Sequence, residues 1–290
     1  MTIRIINKCQ NSCLHCMEES SPTRTEIMSF ETFSKTLEFI DSTITDNINI
    51  SGGEATLHPQ ILLFLEEACK LNKTIYLLIN GLFLKANIEL RNKIFILMSK
   101  YRNLRLQVTS IKGLYSNFIH RSEIEPILKK LSIYKKIEDR ILFVHKLEYG
   151  VIPVGRAKEH MEQINKISFI AMDRTVPKCF NPYNIIAQLG NKIGSDIRGV
   201  IDYLKMSSTT SLCVPLIKEN GDMIFGEYEA CNVVWNVHDS SCEIKVKDLF
   251  GSCGSCYANQ TQVDNVNKHL GIFINKHNKI KESVWSIKLK

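Results

Sequence analysis

The sequence has no run of about 18 apolar residues, which excludes a membrane-spanning helix. Residues 1–8 lack a long apolar stretch, so no secretory signal is visible and a cytoplasmic protein is expected. There is no internal repeat and no low-complexity linker, so the 290 residues read as one large domain, or a large one with a smaller appendage. What the chain does hold is cysteine, ten in all. Without an export signal, metal or redox use is a better reading of so many thiols than disulfides. Hydrophobic residues make up 44%, enough for a core. The net charge of +7 suits an acidic partner, and equally a soluble protein with scattered lysines.

The first two-thirds alternates strand-like and helix-like segments. The runs IRII (from Ile3), NINIS (from Asn47), TIYLLIN (from Thr74), LRLQVTS (from Leu104) and RILFVH (from Arg140) read as five strands, with a sixth expected. Between the first two, Ser29 is placed to cap a helix with Phe30, Phe33, Leu37 and Ile40 on one face. Pro59 opens another helix, which presents Ile61, Leu65 and Ala68. Strands separated by helices of this length predict parallel βαβ units and a full or partial barrel. After about residue 200 the texture changes. Asn220-Gly221 between strand-like flanks predicts a hairpin, followed by GSCGSC and a lysine-edged tail after Asn275. The expected architecture is therefore α/β: a partial (β/α)6 TIM-like barrel over 1–200, then a small hairpin-plus-helix module over 201–290.

Cys9, Cys13 and Cys16 lie within eight residues. A closed zinc site wants four ligands, usually as two pairs, and no fourth partner stands nearby. His15 adjoins Cys16, which makes chelation by both awkward. An iron–sulfur cube held by three thiolates leaves one iron open, and an open iron can bind a ligand directly.

Cys9-x3-Cys13-x2-Cys16 after a first strand resembles the signature of radical S-adenosylmethionine (SAM) enzymes. His15 stands where that family usually has an aromatic residue, and His is common in one of its branches. ISGGEATLHP (Ile50–Pro59) resembles the family's Gly-Gly-Glu motif. Gly52 and Gly53 are expected to permit close backbone approach to a ligand, and Glu54 is the expected partner of the SAM ammonium. LLING resembles the third-strand ending, with Ile79 replacing a hydroxyl residue and Asn80 as a SAM-site residue. VTSIKG resembles the fourth-strand motif, with Ser110 as a ribose contact and Lys112 where Asp is usual. VIPVGRA (Val151–Ala157) resembles a stretch common in the peptide-modifying branch. These motifs run in family order over residues 3–157, and the first four fall at strand carboxyl ends, where a parallel barrel gathers its ligands.

The resemblance implies a 4Fe–4S cluster with an open iron that chelates SAM. Electron transfer then yields a 5′-deoxyadenosyl radical that takes a hydrogen from the substrate. Cys213, Gly226, Cys231 and Cys253-x2-Cys256 resemble the opening of the SPASM extension. No Cys follows Cys256, so the shortened Twitch form is expected, with Cys213, Cys231, Cys253 and Cys256 around a saturated second 4Fe–4S cluster. Zinc is the competing occupant, and Cys242 is a rival ligand. Cys69 reads as a buried core thiol, and Cys179, in VPKCFNP, as a buried thiol with a substrate-side thiol as the alternative. The expected substrate is a peptide residue, undergoing epimerisation, cross-linking or oxidation. A small-molecule dehydrogenase or mutase, acting on an aminocyclitol or sugar alcohol, is the alternative. A zinc-holding basic nucleic-acid binder is a distant third, and no membrane partner is expected. With the cluster motif beginning at residue 9, a separate peptide-recognition protein or direct binding by the barrel is expected, together with a reductant such as flavodoxin or ferredoxin.

Overall fold

The computed structural model describes residues 1–144, 151, 155–167, 196–199, 201, 215–225 and 233–243. Eight strands form one sheet in the order β5-β4-β3-β2-β1-β6-β7-β8. Strands β1 (Thr2–Arg4), β2 (Asn47–Ser51), β3 (Thr74–Ile79), β4 (Leu104–Thr109) and β5 (Ile141–Val144) are parallel neighbours. Helices α1 (Phe30–Asp41), α2 (Ile61–Cys69), α3 (Phe83–Ala86), α4 (Ile88–Lys100) and α5 (Arg121–Lys129) connect them, and α6 (Ala157–Asn165) follows. This is the α/β partial barrel expected from the alternation of the sequence.

Local chemistry sets the helix starts. The Ser29 side chain accepts from Thr32 N–H at the head of α1, and Asn87 does the same for Leu90 N–H at α4. Inside, Phe33 stacks on Phe64 with ring centroids 4.1 Å apart. These rings share one core with Ile48, Ile50, Ile75, Leu77 and Leu106. The strands alternate. Their other face carries Asn49, Ser51, Tyr76, Arg105, Gln107 and Thr109, all half-buried.

The expected hairpin forms around Gly221, whose φ of +87° suits a residue without Cβ. It joins β6 (Pro215–Ile217) to β7 (Asp222–Phe225), and β8 (Val233–Asn236) adds a third antiparallel strand. β6 also pairs with β1 in parallel, so the hairpin continues the barrel sheet and its first strand stands as the sixth parallel strand. Cys179, Cys213, Cys231, Cys253, Cys256 and the lysine-edged tail lie outside the described residues. Among the described residues, no helix is long and apolar enough to cross a membrane.

Cys69 is buried in the core at the end of α2, as its apolar helix face predicts. Burial pushes its thiol up to about 12. The folded state therefore keeps its proton where the unfolded chain, with a thiol near 9, loses it. The native state binds the extra proton between those values, so this group destabilises the fold as pH rises from about 9 towards 12. Cys69 should resist iodoacetamide at pH 8 in native protein and react at once in denaturant, read by peptide mass spectrometry.

Candidate active site

The chain leaves β1, turns through the three cysteines and comes back alongside itself. Cys9 N–H donates to Ser21 O at 3.0 Å, Asn7 N–H to Glu26 O at 3.0 Å and Met28 N–H to Ile5 O at 2.9 Å. Ser20 Oγ reaches Asn7 Oδ1 at 2.6 Å, and Arg4 beneath pairs with Glu18. The cysteine loop is thus a closed ring on the carboxyl end of β1. Cys9 and Cys13 are buried, Cys16 is half-buried, and all three are free thiols. Among the described residues, no three His, Cys, Asp or Glu side chains converge on a single metal ion. A cube takes its thiolates at separate corners, so its ligands stand further apart than those of one zinc. Burial pushes the Cys9 thiol up to about 12 and Cys13 to about 11. Alone they carry protons at neutral pH, and a bound metal would supply the charge that makes them thiolates.

The Gly-Gly-Glu turn after β2 is stitched to this ring. Gly53 N–H donates to Ile6 O at 2.7 Å and Glu54 N–H to Lys8 O at 3.0 Å. A Cβ on Gly52 would stand 2.6 Å from Ile6 O, and one on Gly53 2.6 Å from Lys8 O. The close approach that these glycines permit is to the cysteine loop itself. Glu54, 1% exposed, is held from inside. Its Oε1 accepts from Thr56 N–H at 3.2 Å and Thr56 Oγ1 at 2.5 Å, and its Oε2 from Asn80 N–H at 2.8 Å. Burial pushes this carboxyl up, against those hydrogen bonds. A carboxylate offers about four lone-pair sites, so one on Oε2 is left over.

Asn80 links the cysteines to the end of β3. Its Nδ2 lies 3.9 Å from Cys9 Sγ, and its Oδ1 accepts from Leu82 N–H at 3.0 Å and Gln10 Nε2 at 3.5 Å. Gly52, Gly53, Glu54 and Asn80 therefore gather around the cysteine ring. Ser110, at the end of β4, is also buried, and its Oγ accepts from Ile119 N–H at 3.1 Å. Ile79 is buried, whereas Lys112 is exposed. The segment after β4 touches the ring further along. Asn117 N–H and Nδ2 both donate to Asn11 Oδ1, at 3.1 and 2.8 Å, and Ser12 N–H donates to Ser116 Oγ at 3.1 Å. His15 tilts against Tyr115 at 5.0 Å, and its burial holds the imidazole down to about 4, so it is neutral. Beside the ring opens a cavity of about 610 Å³. Gln10, Leu57, Leu82 and Phe118 line it, from the segments that follow β1, β2, β3 and β4. Ligand sites in parallel barrels are built from those segments.

Residues 3–141 match the model of the Radical SAM superfamily. The family implies a 4Fe–4S cluster and SAM, and the donor set fits both: three free thiols on one loop, with a carboxylate and an amide beside them. The chain is 34% identical over 90 residues to the antilisterial bacteriocin subtilosin biosynthesis protein AlbA of Bacillus subtilis. That stretch is 31% of this chain and 20% of the relative, so the match spans a fifth of the relative's length. Among solved structures, BtrN in complex with AdoMet and 2-DOIA is similar at 12% identity and a TM-score of 0.47, over 90% of this chain and 83% of that one. Streptococcus suis SuiB bound to precursor peptide SuiA is similar at 11% identity and a TM-score of 0.49, over 89% and 69%.

Several residues of the cysteine ring went unread in the sequence. Asn11, Ser116 and Asn117 carry no single-sequence signal, because their partners lie far along the chain. Thr56 sits inside ISGGEATLHP, two positions from its partner Glu54, with no role attached to it. Gly155 and Arg156 sit inside VIPVGRA, a stretch visible as a motif but with no role attached to its residues. Cys242, the rival ligand, packs half-buried against the core, and its carbonyl accepts from Ile197 N–H at 2.9 Å.

Proposed function

We propose that this chain is a radical SAM enzyme that takes a hydrogen atom from a residue within a peptide. The observation that carries the reading is the closed ring of three free thiols over the strand ends, with Glu54 and Asn80 against it. The peptide class is supported by the local likeness to a bacteriocin biosynthesis protein. Cys9, Cys13 and Cys16 would hold the cluster. When bound and reduced, it supplies the electron that cleaves the SAM sulfonium and releases the 5′-deoxyadenosyl radical. The chain's own groups bind and orient. The remaining lone pair of Glu54 accepts from the SAM ammonium. The Asn80 amide keeps Cys9 in register, and the Ser110 hydroxyl, already accepting from Ile119, has a proton left to donate to a ribose oxygen. The loops around the cavity exclude water from a radical that would react with almost any C–H bond it met.

The C-terminal cysteines fit a second cluster. The spacing of Cys213, Cys231 and Cys253-x2-Cys256 supports one shared ligand set. Four thiolates would saturate a cube, leaving it electron transfer as its role. The electrons enter from a flavodoxin or ferredoxin. Anaerobically reconstituted protein should be brown and hold about eight irons with matching sulfide, two cubes in all. About four irons with one zinc would replace the second cluster by a structural zinc, and a colourless zinc protein would overturn the whole reading. Incubation with candidate peptides, read by mass shift, tests the substrate class.

A further inference from the structure

Gly155 and Arg156, just before α6, meet the cysteine ring at Cys16 and Met17, whereas Gly52-Gly53 meet it at Ile6 and Lys8. Arg156 N–H donates to Cys16 O at 3.1 Å. Its guanidinium forks across the ring, with Nη1 donating to Cys13 O and Nη2 to Ser20 O, both at 2.8 Å. One side chain, 143 positions from Cys13, thus ties the second cysteine to the point where the loop rejoins the fold. Gly155 makes this possible. Its φ is +54°, and a Cβ there would stand 2.4 Å from Met17 O and 2.8 Å from Cys16 O. Both are backbone atoms that cannot swing aside.

We propose that Gly155-Arg156 is the clamp that sets the iron–sulfur site, with Arg156 its positioning residue. The proposal rests on the reading of the ring as a cluster loop. It has two separable parts. The fork fixes the carbonyls of Cys13 and Ser20, so the cysteines stay in ligating register. The guanidinium also places a permanent positive charge beside Cys13. A fixed cation favours the state with one more electron, so it raises the potential of the bound cluster. Lysine would keep the charge but lose the two-pronged geometry, because its ammonium is a single point.

The test uses full-length, anaerobically reconstituted protein. Iron lost in a Cys9/Cys13/Cys16→Ala variant defines the first site. Two quantities are then followed at that site: the rate at which a chelator strips its iron, and the midpoint potential from an electron paramagnetic resonance titration. Arg156→Gln should lose iron about 10- to 100-fold faster than wild type, at a lowered potential. Arg156→Lys should restore the potential but not the retention. Gly155→Ala should lose iron fast with the arginine still present. Wild-type retention and potential in Arg156→Gln, with circular dichroism unchanged, would overturn the clamp. If Arg156→Gln does not fold, Arg156→Lys decides: wild-type retention there removes the fork. Full iron in the triple cysteine variant would instead remove the reading of the loop, whatever Arg156 does.

Discussion

Replacing Cys9, Cys13 and Cys16 together by alanine should reduce 5′-deoxyadenosine formation from SAM to the level of buffer and dithionite. No partial activity is expected, because the vacancy that chelates SAM exists only if the other three corners of the cube are held. The fold should survive. Each substitution removes one small sulfur from a loop anchored by its backbone, through Asn7, Cys9, Gly53 and Glu54. Removing so little apolar surface costs on the order of 1 kcal/mol per site. Iron bound by the second cysteine set should remain. The measurements are nucleoside yield by chromatography and iron per chain. Sustained nucleoside release from the triple variant would rule out the ring as the SAM-cleaving site.

Glu54 separates binding from architecture. Glu54→Ala deletes the acceptor for Thr56 N–H, Thr56 Oγ1 and Asn80 N–H in a site 1% exposed. Each buried donor left unpaired costs about 1–3 kcal/mol, so this variant should melt well below wild type and lose SAM binding with it. Glu54→Gln keeps the shape and one acceptor oxygen but removes the charge. Its amide nitrogen must face a buried donor, so it should melt below wild type yet above Glu54→Ala. It should hold its iron and bind SAM about 10- to 100-fold more weakly, the equivalent of a charge-assisted hydrogen bond worth about 1.5–3 kcal/mol. Calorimetric binding and thermal melts on the same samples check both. Wild-type SAM affinity in Glu54→Gln would make the carboxylate a cap for the turn after β2 and nothing more.

The elements legible in the sequence were those whose cause is local. Ser29 ahead of a 3.6-residue apolar repeat, Asn220-Gly221 between strand-like flanks, and motifs that end strands all act within a few residues. Long-range facts left no such trace. The partner of β1 on its second edge is β6, more than two hundred residues away, and nothing in IRII names it. The Gly-Gly pair announced a close approach, but only the fold shows that Ile6 and Lys8 are what comes close. Asn11 and Asn117 are unremarkable apart and meet only when the loops after β1 and β4 converge.

The pairing of β1 with β6 also bears on how the protein is made. β1 is synthesised well before β6, and its buried Arg4 meets Glu219, 215 positions later, at 2.7 Å. At about 5–20 residues per second, roughly 10–40 s separate the two on the ribosome. Throughout that interval the strand bearing the cysteine ring has one unpaired edge. Such edges invite pairing with other chains. The hairpin at 215–225 is therefore a late closing piece of the barrel, and a chain cut before it would expose its cysteine-bearing strand to aggregation.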